Sequence, residues 1–148
     1  MERSRSKESG SNYATAAMTD YDATIDWDRY WDEADEGDRG DASPTTKLAV
    51  DPLLAFLEKT GAPSSYADVG CGPGGAVFAV AEAYPEATVV GYDAAEPVLT
   101  ENRGRARERG SDVDFEREVL PGFDPGRTFD VVSSLFTLCY VPEIEWAI

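Results

Sequence analysis

Apolar positions in this chain fall into short blocks, and their spacing changes from one block to the next. Residues 66–69 form a brief apolar run ending in Asp68-Val69, which leads directly into Gly70-Cys71-Gly72-Pro73-Gly74-Gly75. A short run bounded by turn residues reads as a buried strand. Residues 76–84, rich in Ala and Val, read as a helix packed on a sheet, and Pro85 stops it. Thr88, Val89 and Val90 are β-branched, so residues 87–92 predict a second strand with Asp93 at its end. A second helix is predicted over 95–109, closed by Gly110. Residues 113–118 predict a third strand, and 121–126 form a Pro/Gly loop. Residues 129–135 predict a fourth strand whose apolar character runs on to Val141, and Pro142 opens a further helix at Glu143.

Upstream the pattern is weaker. Residues 1–19 are Ser, Ala, Thr and charge with no period, which predicts an unstructured tail. Trp27, Tyr30 and Trp31 stand at i, i+3, i+4, so residues 26–34 predict a short amphipathic helix in an acidic setting. It reads either as a solvated arm with aromatics docked on the core or as a flap over a ligand pocket. Residues 37–40 read as a linker. Ser43-Pro44 and Asp51-Pro52 are helix-start signals, so a helix is expected to end near Lys59, with a kink at Pro52 and Gly61 past its end. Leu53, Leu54, Phe56 and Leu57 are its expected buried face. The predicted organisation is an acidic aromatic arm over 1–42 and one α/β domain over 43–148. Alternating strands and helices imply a parallel sheet with helices on both faces.

Charge narrows the function classes. The 148 residues carry 29 acidic and 13 basic side chains and no His, for a formal net charge of −16. Acidic excess with scarce Lys suits a protein kept hydrated at high salt, so a halophilic source is expected. The same charge argues against a nucleic-acid or anionic-membrane partner. No apolar run is long enough to span a membrane, and no apolar segment follows Arg3, Arg5 and Lys7 as in a signal peptide. Cys71 and Cys139 lack metal-ligand spacing and read as two buried thiols in a reducing cytoplasm; no metal site is expected. Without His, a His-based triad is excluded. Arg103, Arg105, Arg107 and Arg109 alternate around the second helix and read as solvated surface.

The glycine turn carries the candidate chemistry. Gly70, Gly72 and Gly75 fit G-x-G-x-x-G, and Asp93 follows at the distance of a ribose-binding acid. A nicotinamide-dependent oxidoreductase would share both features. Asp68 separates the two readings. A carboxylate at the end of a buried strand needs a cation or donors. It would repel a pyrophosphate and attract a ligand ammonium.

Asp68-Val69-Gly70-Cys71-Gly72-Pro73-Gly74 resembles the first motif of the class I, Rossmann-like S-adenosylmethionine-dependent methyltransferases. Gly91-Tyr92-Asp93-Ala94 is similar to the second-strand motif of that family, and residues 129–134 to the fourth-strand motif. The resemblance covers about residues 48–148 and implies S-adenosylmethionine as cofactor, methyl transfer to a small-molecule acceptor, and strand order 3-2-1-4. It implies cofactor contacts from Asp68 to the methionine ammonium and from the backbone of Gly70, Cys71 and Gly72. Asp93 and Ala94 would meet the ribose, and Glu118 and the Val119 amide the adenine edge. Asp130 is expected to be structural, and no catalytic residue is assigned. Tyr30 or Trp31 would close the pocket on the sulfonium. Family members carry a seven-stranded sheet, and four strands are predicted here. The exposed edge of the fourth strand is then expected to need a partner chain, self-association or missing residues of a longer chain. A non-catalytic binding module is the alternative to an enzyme.

Overall fold

In the computed structural model, residues 25–146 are described, so the expected tail and the rest of residues 1–24 lie outside the described residues. The order of elements is α1 (Trp27–Glu33), α2 (Pro44–Thr60), β1 (Ser65–Val69), α3 (Gly75–Ala83), β2 (Thr88–Asp93), α4 (Glu96–Arg109), β3 (Asp114–Arg117) and β4 (Val131–Ser133). The strands form one parallel sheet in the order β3-β2-β1-β4. This is the expected order. The inner strands β1 and β2 are buried along nearly their whole length, as their apolar runs require.

The expectation of helices on both faces is met on one. Leu53 and Leu57 of α2, Val77 and Val80 of α3 and Leu99 of α4 pack with Tyr66, Val89 and Phe115 in a single core. The opposite face, with Ala67, Val69, Val90 and Tyr92, is covered by Leu120, Phe123 and Phe129 from the loop before β4. The reason is topological. β1 to β2 and β2 to β3 step in the same direction, so right-handed crossovers put α3 and α4 on the same side. The connection back from β3 to β4 crosses the other side, and here it is a loop.

Several local expectations are corrected. The helix through Pro52 is continuous from Pro44 to Thr60. Pro52 removes a donor for the Leu48 carbonyl, but both residues are exposed, so water can serve that carbonyl. Leu57 is wholly buried and Leu53 nearly so, whereas Phe56 is 54% exposed and lies off the packed face. Leu57→Ala would cost about 2–5 kcal/mol by the cavity it leaves. β4 is three residues long, and the apolar stretch beyond it becomes a loop with a tight turn at Leu138–Tyr140. The expected helix at Glu143 is a single turn at Ile144–Trp146. The expected linker at 37–40 lies within two tight turns, Glu36–Asp38 and Gly40–Ala42. Cys71 is buried as expected, and Cys139 is exposed. Asp130 accepts the amides of Ser64 and Ser65 at 2.8 and 3.2 Å and receives no cavity role, which agrees with a structural residue.

Candidate functional site

The glycine turn is held from three sides. The amides of Gly70 and Cys71 both donate to the Tyr92 carbonyl at 2.8 Å, which ties the end of β1 to the end of β2. The Asp93 carboxylate accepts the Gly72 amide at 2.8 Å and the Ala95 amide at 3.0 Å. From α4, Asn102 Nδ2 donates to the Gly72 carbonyl at 2.7 Å, and an Arg105 guanidinium nitrogen donates to the Pro73 carbonyl at 2.6 Å. Asn102 is completely buried, and its Oδ1 has no hydrogen-bond partner among the described residues.

The turn needs glycine for two reasons. Gly70 and Gly72 have φ of +76° and +48°, where side chains are strained. A Cβ at Gly70 would also stand 2.2 Å from Thr137 Oγ1, and one at Gly72 would stand 3.2 Å from the Trp31 ring. The loop after β4 and helix α1 thus close on the turn from two directions.

Asp68 is turned toward Ser133 of β4, on the face of the sheet that carries Tyr66. Its Oδ1 accepts from Ser133 Oγ at 2.6 Å, and Tyr66 Oη lies 2.6 Å from the same Ser133 oxygen. With the Ser133 proton directed to Asp68, Tyr66 donates to Ser133, completing a buried chain of three side chains from β1 and β4. Burial pushes the Asp68 carboxyl up to about 7; the Ser133 hydrogen bond opposes this and the Asp93 charge adds to it. Asp93 is pushed up in the same direction by burial, and its amide partners oppose the shift. Burial, with Asp93 and Asp68 beside it, pushes the Cys71 thiol well up, so this sulfur stays protonated.

A cavity of about 280 Å³ opens beside the turn. Among the expected site residues, Gly70, Cys71, Gly72, Asp93, Ala94 and Glu118 line it. Asp68 does not; it borders an adjoining recess of about 10 Å³ together with Gly70 and Cys71. Val119 is outside the lining, and Leu120 forms that wall. The Glu118 amide continues the ladder by donating to the Asp93 carbonyl at 3.0 Å, which sets the Glu118 side chain at the cavity mouth.

Helix α1 forms the far wall. Asp26 caps it through the Arg29 amide, and Trp31 packs with Ala95 and Val98. Arg39 fastens it by donating to the carbonyls of Trp31 and Ala34 while pairing with Glu101. Trp27, Tyr30 and Trp31 all line the cavity, joined by Tyr140 from the loop after β4. Both readings of the aromatic arm find a counterpart: Trp31 is docked on Ala95 and Val98, and Trp27, Tyr30 and Trp31 line the cavity.

Sequence reasoning passed over Asn102, Arg105, Ser133 and Thr137. The arginines read as solvated surface are in part structural: Arg105 grips the turn, Arg103 donates to the Phe115 carbonyl at 3.0 Å, and Arg109 lies over the Phe78 ring. The signal available was a polar residue, Asn102, on the apolar side of a helix next to a glycine turn.

The sequence profile of the methyltransferase domain matches residues 67–148. The trans-aconitate 2-methyltransferase of Methylobacterium nodulans is 33% identical over 120 residues, covering 80% of this chain and 41% of that protein. The trans-aconitate 2-methyltransferase of Mycobacterium sp. (strain KMS) is 35% identical over 94 residues, covering 62% of this chain and 35% of that protein. The chain therefore spans well under half the length of these curated relatives. Among solved structures, magnesium protoporphyrin IX methyltransferase from Synechocystis PCC 6803 with bound S-adenosylhomocysteine superposes with a TM-score of 0.58. It is 27% identical, over 72% of this chain and 49% of that one. The profile match takes in the glycine turn, β2 with Asp93, and β4, and by that match the chain belongs to the methyltransferase domain family.

Proposed function

We propose that the cavity beside the glycine turn binds S-adenosylmethionine and that this chain is the cofactor-holding part of a methyltransferase. The observation that carries the reading is Asp93. Two backbone amides fix its carboxylate at the cavity wall, and each oxygen keeps a second lone pair for a ribose diol. The cofactor's binding surface would be the open backbone of Gly70, Cys71 and Gly72, with Ala94 beside the ribose. Glu118 and the Val119 amide would take the adenine edge, with Leu120 as its apolar wall. Asp68 would act on the methionine ammonium from its recess, as a charged group behind the turn.

S-adenosylmethionine supplies a methyl group activated by a positive sulfur. The protein's part is positioning and exclusion of water. Trp31 and Tyr30 cover the cavity, and their faces suit a neighbouring cation. No residue is assigned as general base; an acceptor that needed one would have to use Tyr140 or an acid of the arm, of which Asp38 lines the cavity.

The acceptor is read as a small molecule, as the names of the trans-aconitate relatives suggest. A net charge of −16 supports the absence of a nucleic-acid partner and a source rich in salt. No helix among the described residues is long and apolar enough to cross a membrane; a cytoplasmic site of action is our reading. Residues 43–148 are read as the cofactor domain and the described part of the preceding arm, residues 25–42, as its cover. Val132 on β4 is 54% exposed, and that edge suits pairing with a further strand, from a partner, a second copy or a longer form of this chain.

Calorimetry with S-adenosylhomocysteine and NAD side by side tests the cofactor. Micromolar binding of S-adenosylhomocysteine and none of NAD is expected; binding of NAD alone would overturn the proposal. Transfer of labelled methyl to an acceptor separates an enzyme from a non-catalytic binding module.

A further inference from the structure

The aromatic wall of the cavity extends beyond Trp31, which packs on the glycine turn, to Tyr30, Trp27 and Tyr140. Tyr140, Trp27, Tyr30 and Trp31 stand in a chain of edge-to-face contacts. Centroids are 5.1 Å apart for Tyr140 and Trp27, 5.5 Å for Trp27 and Tyr30, and 5.1 Å for Tyr30 and Trp31. The interplanar angles are 80°, 77° and 86°. Rings set at right angles present faces in different directions, like the sides of a box. The half-buried Asp38 lines the same wall, and its negative charge acts on the Tyr30 phenol.

Among the described residues, Asp38, Asp93 and Glu118 line the cavity and no lining side chain is basic. Three arginines beside the cavity are engaged by protein acceptors. Arg117 Nε donates to the carbonyl of the lining residue Ala94 at 2.9 Å. Arg39 is engaged by the Trp31 and Ala34 carbonyls and by Glu101, and Arg105 by the Pro73 carbonyl and Asp41. Asp38 makes no ion pair among the described residues. At the aromatic end an anionic guest would meet the Asp38 carboxylate, with no basic side chain among the described lining residues. A cationic guest would meet ring faces and a carboxylate together, which is the chemistry that recognises organic ammonium groups.

We infer that the aromatic end of the cavity, formed by Trp27, Tyr30, Trp31 and Tyr140 around Asp38, binds an organic ammonium group of the methyl acceptor. The acceptor class is thus a molecule carrying a protonated alkyl or arylalkyl amine, which anchors it here and is not itself the methylated atom, and not a polycarboxylate. This rests on the proposed cofactor reading, because it assigns the remaining part of the same cavity.

The test uses the full chain and three probes: phenethylamine, 3-phenylpropionate of similar shape and opposite charge, and trans-aconitate. Each is titrated by calorimetry into the free protein and into protein saturated with S-adenosylhomocysteine. Phenethylamine is expected to bind at least ten-fold more tightly than either anion in both states. Asp38→Asn is expected to weaken phenethylamine binding about ten-fold, leave S-adenosylhomocysteine affinity unchanged and leave the unfolding midpoint within a degree or two. Tyr30→Leu is expected to weaken phenethylamine in the same sense. Equal or tighter binding of an anion, no binding of any probe, or no effect of Asp38→Asn would overturn the inference. Loss of phenethylamine binding on saturation with S-adenosylhomocysteine would also overturn it, because the rings would then serve the cofactor. Failure of S-adenosylhomocysteine to bind would instead sink the cofactor reading, and the free-protein titrations would still decide the charge preference.

Discussion

The Asp93 carboxylate accepts the Gly72 amide at 2.8 Å, so the tip of β2 holds the glycine turn that follows β1. The two residues are 21 positions apart, and the bond is buried. Asp93→Asn keeps the shape but leaves one acceptor oxygen for two amides, those of Gly72 and Ala95. A buried amide without a partner costs about 1–3 kcal/mol. We expect that loss in urea unfolding, and under the proposed function at least a ten-fold loss of S-adenosylhomocysteine affinity by calorimetry. Unchanged stability would mean that the turn is held chiefly by Asn102 and Arg105.

Asp68 makes stability depend on pH. Its native carboxyl titrates at about 7, far above the ordinary range of about 4. The folded state therefore keeps a proton that the unfolded chain has released between those values. The contribution is complete below about pH 4 and is lost as pH rises through about 7. Urea midpoints are expected to fall across that window, and Asp68→Asn to flatten the slope; Asp93, shifted in the same direction, leaves a remainder. A steeper slope in Asp68→Asn would refute this assignment.

A ligand ammonium near Asp68 favours the ionised carboxylate. Binding of S-adenosylhomocysteine at pH 6 should release a fraction of a proton and tighten as pH approaches 7. Calorimetry in two buffers of different ionisation enthalpy reads the proton directly. Proton uptake would contradict the placement of the ammonium.

Gly70 is constrained by φ and by Thr137 at once. Gly70→Ala would bring a Cβ to 2.2 Å from Thr137 Oγ1 at a φ of +76°. The expected cost is about 1–3 kcal/mol from backbone strain alone, with the clash added. Thr137→Gly in the same chain should recover the clash and not the strain. A double-mutant cycle with no coupling would show that the loop after β4 moves aside freely.

Arg105 and Arg107 neighbour each other in α4 but differ in role. Arg105 is half-buried and donates to the Pro73 carbonyl, whereas Arg107 is exposed. Arg105→Met should cost about 1–3 kcal/mol by orphaning that carbonyl. Arg107→Met should stay within about 0.5 kcal/mol of the parent. Equal effects in thermal unfolding would place both arginines in solvent.

A net charge of −16 predicts a thermal midpoint that climbs with salt. Raising ionic strength from 0.1 to 1 M shortens the screening length from about 10 to about 3 Å, which removes most of the repulsion among exposed acids. Calorimetric scans in potassium chloride check this, and a falling midpoint would argue against a salt-rich source.

The primary sequence by itself determined the succession of elements, the glycine turn between β1 and α3, the acids at the ends of β1 and β2, and the stops at Gly61 and Gly110. These are short-range properties: a strand's apolar run, a positive φ and a helix end are specified by residues within a few positions. Tertiary structure decided the rest, because it depends on partners far apart in the chain. Asn102 and Gly72 are 30 residues apart and Ser133 and Asp68 are 65 apart, and neither pair has a local signature. The same holds for the exposure of Phe56 and Cys139 and for the gathering of the helices on one face. Asp68 shows the division most clearly. Its charge and its place before the turn are written in the chain, but whether it faces the cavity or turns toward β4 follows from Ser133, which the parallel pairing of β1 with β4 sets opposite it.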